Sequence, residues 1–311
     1  MTRALLITNP AAARTAAGAV GAIRDALRAG GWNVEVQATG QAGDARRFAE
    51  QARDAGIDVV VCHGGDGTAM QMAAAIAGSG VALGLVPGGT GNLLAGNLYL
   101  PRDPAAAARV MLRGNRMAID LGIVERDVPH YFAVCCGAGF DARLMADTQA
   151  AIKRRWKRYA YLARGMVALP NVRSTMHRVT IDDVVHERRA ALVLVINCGD
   201  LFPPFLRLRN DIAPDDGWFD VLTLDADGTF ASFAAFWELM QVRWSPRPHV
   251  SKRVWFARGR SVRVEVLEGP EQPVQLDGEV CGGTPFETRL VPGALSVLVD
   301  TATVQRRYRH D

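Results

Sequence analysis

An α/β domain followed by a β-rich, largely antiparallel domain is what this chain of 311 residues encodes, and three features point to it. The length suits two domains of roughly 100 to 200 residues each. Up to about residue 114 short apolar runs alternate with helical stretches, the grammar of a parallel sheet covered by helices. After about residue 116 strand-like runs follow one another, punctuated by glycine, proline and acidic residues. A composition 49% hydrophobic and 22% charged gives such a chain enough apolar surface for a core and excludes disorder or collagen.

In order, Ala4-Leu5-Leu6-Ile7 reads as a first buried strand and Thr15 to Ala29 as an alanine-rich helix. Val34-Glu35-Val36 is a second strand and Asp44 to Ala55 a second helix. Val59-Val60-Val61-Cys62 and Val81 to Val86 are continuous apolar runs, as strands buried on both faces should be, and each leads into glycines and a further helical stretch. Beyond the change of pattern at 115–125, strands are predicted at Met117 to Val124, Tyr131 to Cys135, Arg178 to Asp182, Ala190 to Asn197, Phe219 to Leu224, Val262 to Val266 and Leu295 to Val299. Helical stretches are expected near 143–168 and 229–241.

Charge and cysteine usage narrow the function. The 36 basic and 32 acidic residues leave a net charge of +4, too small for a dedicated nucleic-acid protein, so no nucleic-acid partner is expected. Only Lys153-Arg154-Arg155-Trp156-Lys157-Arg158 concentrates positive charge; with Trp156, Tyr159 and Tyr161 interleaved it reads either as a solvated helix face or as a contact with anionic lipid headgroups. Five cysteines without C-x-x-C spacing suggest a reducing, cytoplasmic setting, and no apolar run approaches the ~20 residues of a membrane helix, leaving peripheral contact as the expected route to a bilayer. The six histidines show no zinc-ligand spacing, and the cysteines read as small buried residues.

Two glycine loops carry the chemistry: His63-Gly64-Gly65-Asp66-Gly67-Thr68 and Pro87-Gly88-Gly89-Thr90-Gly91-Asn92, each after a strand, where α/β sheets bind ligands. Glycines let backbone N–H groups approach phosphate oxygens, Thr68 and Thr90 add hydroxyls, and each following helix turns its positive end to the anion. Asp66 beside phosphates requires a divalent cation or a proton donor between them, which points to a magnesium nucleotide. Either loop alone could be a plain strand-to-helix turn. Neither is a Walker A motif, since no lysine follows the glycines. Gly137-Ala138-Gly139-Phe140-Asp141-Ala142 matches a dinucleotide fingerprint formally but lacks the acidic residue about 20 positions on, so its turn is better read as projecting Asp141 toward a ligand.

These motifs, with Asn9-Pro10, Asp215-Asp216-Gly217-Trp218-Phe219-Asp220-Val221 and Gln275-Leu276-Asp277-Gly278-Glu279, resemble the diacylglycerol kinase catalytic-domain family of lipid kinases in its soluble bacterial branch, to which sphingosine kinases are related. The resemblance implies an α/β nucleotide-binding domain over 1–122, rejoined by 300–311, a β-sandwich lipid-substrate domain over 123–299, and a cleft between them. It implies ATP contacts at Asn9, Thr39, Gly65, Asp66, Gly67, Thr68 and Thr90, with Asn92 supporting the second loop and Asp66 also serving catalysis. Glu279 would accept the proton of the lipid hydroxyl with Asp277 as its close partner, Asp141 would face the lipid, and a structural magnesium ion would sit on Asp216 and the carbonyls of Ala213 and Trp218. The family usually has Asn-Glu where this chain has Met70 and Gln71, and Gln71 cannot balance a cation.

By themselves Asp277-Gly278 reads as a type I′ hairpin turn and Asp215-Asp216-Gly217 as a solvated turn. Phosphoryl transfer asks chiefly for alignment and charge neutralisation, which glycine loops provide, and a carboxylate to take the acceptor's proton, for which Glu279 and then Asp277 are the candidates. Transfer from Mg·ATP to a hydroxyl of diacylglycerol or a related lipid at the membrane surface is thus the favoured reading. An NAD kinase-like phosphotransferase shares the GGDG turn, and a catalytically weak, nucleotide-responsive lipid-binding protein would suit Met70 and Gln71.

Overall fold

The computed structural model describes residues 1–12, 18–139, 169–202, 206–242 and 249–308. It divides into two compact units, one built from Met1–Leu121 with the returning segment from Pro292, the other from the described parts of 122–201 and 206–291.

The first unit alternates as its sequence predicts: β1 (Arg3–Thr8), α1 (Ala19–Ala29), β2 (Asn33–Ala38), α2 (Asp44–Asp54), β3 (Val59–Gly64), α3 (Asp66–Ile76), β4 (Ala82–Pro87), α4 (Leu93–Asn97) and α5 (Pro104–Arg113). The strands pair in parallel in the order β2-β1-β3-β4. α1 packs Ala19, Ile23 and Leu27 inward at a spacing of four, so the helix buries one stripe against Leu6, Val61 and Met111. α5 starts on Asp103, whose carboxylate accepts from Ala106 N at 2.7 Å, with Pro104 pre-set for the first turn. β5 (Asn115–Val124) then leads out of the unit.

The chain returns at Pro292, earlier than the segment 300–311 expected to rejoin. The last part of β19 (Phe286–Val299) lies parallel to β4, Ser296 opposite Ala82 and Val297 opposite Leu83, and so adds a further parallel strand. The C-terminal helix, α7 (Thr301–Tyr308), is fixed by the Tyr308 hydroxyl, which bonds to Asn97 Oδ1 at 2.8 Å.

The second unit is a sandwich. Its strands are β6 (His130–Phe132), β7 (Cys135–Gly139), β8 (Thr175–Ile181), β9 (Val184–Ala190), β10 (Leu192–Ile196), β11 (Asp200–Phe202), β12 (Leu206–Arg207), β13 (Phe219–Leu224), β14 (His249–Val250), β15 (Val254–Gly259), β16 (Ser261–Val266), β17 (Pro273–Leu276), β18 (Glu279–Gly283) and the start of β19. One layer runs β14-β15-β13-β10-β7-β17-β18, antiparallel throughout; β9, β8, β16 and the start of β19 form the other. Cys136, Val195, Val221 and Val274 of the first meet Val179, Val262, Val264 and Phe286 of the second in one dry core, as two facing inner layers must. One helix, α6 (Gly228–Val242), covers residues predicted as helical at 229–241.

The predicted strand Tyr131 to Cys135 is broken. Ala133 and Val134 bend out of the ladder between β6 and β7, so their backbone groups find partners outside it. Their carbonyls accept from Asn197 N, Asn197 Nδ2 and the Cys198 thiol, which leaves three consecutive N–H groups, of 133 to 135, aimed elsewhere.

Candidate active site

In the first unit the predicted nucleotide residues gather at the carboxyl ends of four neighbouring strands. Thr39 follows β2 and donates its N–H to Thr8 O at 2.9 Å; Asn9 follows β1, donates its N–H to His63 O, and its side chain donates to Thr68 Oγ1 at 3.0 Å. His63, near the end of β3, shares a 3.1 Å hydrogen bond with the Thr8 hydroxyl, and burial lowers the pKa of its ring from the usual histidine value. The glycine loops touch backbone to backbone: Gly88 N donates to Gly64 O at 2.8 Å, and a Cβ on Gly89 would lie 2.5 Å from Gly65 Cα. Glycine is required there by close approach rather than by backbone angle. Asn92, with φ +53, folds the second loop on itself, accepting from Gly89 N at 2.8 Å and donating to Gly89 O at 2.9 Å.

Asp66 has a role that its sequence reading missed. Its carboxylate accepts from Asn92 N at 2.7 Å and from Leu93 N, the first amides of α4. It pins one glycine loop to the other, and a Cβ on Gly91 would sit 2.6 Å from Asp66 Oδ2. Charge in the loop therefore needs no cation to explain it, and the positive end of α4 is spent on Asp66 rather than left to a phosphate. Burial outweighs these bonds and pushes the carboxyl up to about 6. What stays open to a ligand is the N-terminus of α3 with Gly65 and Gly67, together with the half-buried Thr90, whose hydroxyl makes no hydrogen bond among the described residues.

The second unit repeats this device with a different outcome. Asp277, in a left-handed turn with φ +48, is buried and accepts from Ala133 N at 2.7 Å, Val134 N at 2.8 Å and Cys135 N at 2.9 Å. These are the three N–H groups that the bend releases. So engaged, Asp277 holds the turn between β17 and β18 and is not a free proton acceptor, which corrects its place as second candidate base. Glu279, two residues on, opens β18 opposite Leu276; it is exposed and accepts no hydrogen bond among the described residues.

Comparison with known proteins agrees with this division. Residues 3–124 match the model of the diacylglycerol kinase catalytic domain, and residues 134–299 that of the YegS C-terminal NAD kinase beta sandwich-like domain. The chain belongs to the diacylglycerol kinase catalytic-domain family. It is a kinase. Among its relatives, the diacylglycerol kinase of Bacillus subtilis is 28% identical over 92% of this chain and 93% of its own. A Chromohalobacter salexigens protein named "Probable lipid kinase YegS-like" is 29% identical over 89% and 86%. This chain spans 61% of the length of an uncharacterized Synechocystis protein, at 24% identity. A crystal structure of a diacylglycerol kinase from Bacillus anthracis shares the fold with a TM-score of 0.74 at 20% identity, covering 96% of this chain and 97% of the other.

For the kinase's expected metal residues the structure offers a different partner. Asp216 Oδ2 lies 2.6 Å from Arg258 Nη2, and Oδ1 accepts from Trp218 N at 3.0 Å, while Asp216 N approaches Ala213 O at 3.4 Å. Arg258 also pairs with Asp220 at 3.2 Å. The guanidinium supplies the positive charge a cation would bring, so as arranged these residues do not fit a magnesium ion. Among the described residues no group of three or more His, Cys, Asp or Glu side chains could hold a metal either. Arg258 was missed because nothing in its strand sequence marks one arginine among 33.

Asp141, Lys153, Arg154, Arg155, Lys157 and Arg158 lie outside the described residues, as does the expected helix near 143–168. Gly137 and Gly139 belong to antiparallel β7, where a Cβ on Gly139 would meet Ala191 O at 2.3 Å. These glycines serve strand packing. Met70 is half-buried and Gln71 exposed on α3. All five cysteines are free thiols. No helix among the described residues is long and apolar enough to cross a membrane.

Proposed function

We propose that this kinase transfers the γ-phosphate of Mg·ATP to a hydroxyl of diacylglycerol or a related lipid, with Glu279 as proton acceptor. Family membership, and relatives named for lipid and diacylglycerol phosphorylation, support the substrate class. The observation that carries the residue assignment is the contrast across Gly278: Asp277 is buried with three amide bonds, whereas Glu279 is exposed and unengaged. A carboxylate already accepting three amide hydrogen bonds gains little by taking a proton; an open one can take it.

In the proposed step the lipid oxygen attacks the γ-phosphorus, its proton passes to Glu279, and the bond from phosphorus to the bridging β,γ-oxygen breaks to release ADP. Magnesium carried on the nucleotide would supply neutralisation of the charge spreading over the phosphates. Gly65, Gly67, Thr68 and Thr90 would hold the donor, with Asn9 orienting the Thr68 hydroxyl and Thr39 flanking it. Asp66 and Asn92 would act by fixing the loops rather than by touching the reacting atoms.

The test is transfer of labelled γ-phosphate into a panel of detergent-dispersed lipids, with Glu279→Ala as control. Label in one lipid that vanishes with the variant supports the proposal and names the acceptor. Equal labelling by both proteins removes Glu279 from the mechanism, and binding of Mg·ATP without transfer to any lipid removes the activity.

A further inference from the structure

Helix α6 is built inside out. Toward the sandwich it turns Ala231, Ala235 and Leu239, which pack beside Val172, Ala191 and Ala226 or lie buried. Toward solvent it turns Phe230, Phe233, Phe236 and Trp237, exposed at 92, 57, 51 and 68%. At about 100° per residue these four span an arc of roughly 120° along a helix about 22 Å long. An ordinary surface helix does the reverse, and contiguous exposed aromatics of this size mark an interaction site.

The charges around the stripe say what covers it. The carboxylates nearby are already neutralised: Glu238 by Arg253 and the Ser251 hydroxyl, Asp227 by Arg189. Two exposed cations add positive charge beyond these pairs: Arg173, which approaches Gly228 at the start of α6, hydrogen-bonds to the carbonyls of Pro170 and Val172 and shares the charge of Asp227 with Arg189, and Lys252 stands exposed between the two residues that bind Glu238; neither makes a close ion pair among the described residues. Val250, on β14 just before Ser251, is also exposed, at 61%. A second copy on this face would bring the same cations and no free acid to the contact, so it offers no charge complement. Aromatic rings flanked by basic side chains are what the boundary of an anionic bilayer accepts.

We infer that the outer face of α6 docks on the surface of an anionic lipid bilayer, Phe230, Phe233, Phe236 and Trp237 entering the headgroup region while Arg173 and Lys252 rest against anionic headgroups. The inference deepens the lipid-kinase reading and rests on it for its purpose, since a water-borne enzyme must reach a bilayer-bound acceptor. It assigns docking to α6 and not to the basic run at 153–158, whose sequence every variant below leaves intact.

The experiment is co-sedimentation of the full chain with phosphatidylglycerol–phosphatidylcholine vesicles, without nucleotide, for the wild type and for the triple variant Phe230→Ser, Phe233→Ser, Trp237→Ser. We expect the variant to bind at least about tenfold more weakly with an unchanged unfolding transition, and Arg173→Glu with Lys252→Glu to weaken binding to anionic vesicles but not to pure phosphatidylcholine. The triple variant should still phosphorylate a short-chain lipid dispersed below its aggregation limit, whereas Glu279→Gln should bind vesicles normally and transfer nothing. Failure of the kinase reading would thus leave the binding result standing. Equal sedimentation of wild type and triple variant, absence of wild-type binding, or a wild-type dimer that the triple variant dissolves would each overturn the inference.

Discussion

Two turns, one in each unit, place a carboxylate next to glycine and use it differently. Asp66 reaches from the end of β3 to the first amides of α4; Asp277 reaches from the end of β17 to the bend between β6 and β7. Both tie distant backbone together. In the first turn the pin itself is poised to titrate, because backbone amides and no guanidinium face a carboxyl that burial pushes up to about 6. Asp44 shows the opposite balance: Arg47 adds its charge to the amides of Gly40 and Gln41 and draws the carboxyl down to about 2. In the second turn the pin is saturated and a separate carboxylate, Glu279, is left exposed beside it. An Asp-Gly pair is thus no guide to chemistry until the partners of its oxygens are known.

The sharpest way to break this comparison is to neutralise each acid of the second turn in turn. Glu279→Gln should lower phosphate transfer by about 10²- to 10⁴-fold, the usual worth of a general base, with chemical unfolding unchanged. Asp277→Ala should instead lower the unfolding free energy by about 3–5 kcal/mol, since three buried N–H groups lose a charged acceptor. If the stability loss followed Glu279, the roles would be reversed.

For the first turn the separating variable is pH. A carboxyl raised from 3.8 to about 6 binds its proton more tightly in the folded state, so its contribution favours folding below about 4 and is lost as pH rises through about 6. At roughly 1.4 kcal/mol per unit this amounts to about 3 kcal/mol. Asp66→Asn cannot ionise, so denaturant unfolding of wild type minus variant should change by that order between pH 4 and pH 7. A flat difference would mean that the amides of Asn92 and Leu93 hold the charge as well as water does.

The smallest effect concerns Asp216. With Arg258 as its cation, the melting temperature without nucleotide should be the same in magnesium and in EDTA, and Asp216→Asn should lower it slightly and equally in both. Stabilisation by magnesium that the variant abolishes would return the site to a metal.

Much of the fold was legible because local pattern and burial agree. Val59 to Cys62 is continuously apolar since parallel strands are covered on both faces, and the glycine loops stand where strand ends meet helices. Strand β9 was not legible: Val-Val-His-Glu-Arg-Arg-Ala edges its sheet, and Val184 and Val185 face solvent. Nor was the break at Ala133–Val134, whose cause, Asp277, lies 144 and 143 residues away. On α6 apolar residues fall on every side of the helix, so helix was predictable but not which side would be left uncovered.

The sequence by itself determined the two-domain class, the loops and the family resemblance, because these depend on residue type at fixed spacing. Only tertiary structure decided which acids are spent. Asp66, Asp216 and Asp277 are engaged by groups 27, 42 and 144 residues away, and Glu279 is not. A carboxylate's chemistry is set by burial and by the partners of its oxygens, and both are properties of packing rather than of spacing along the chain.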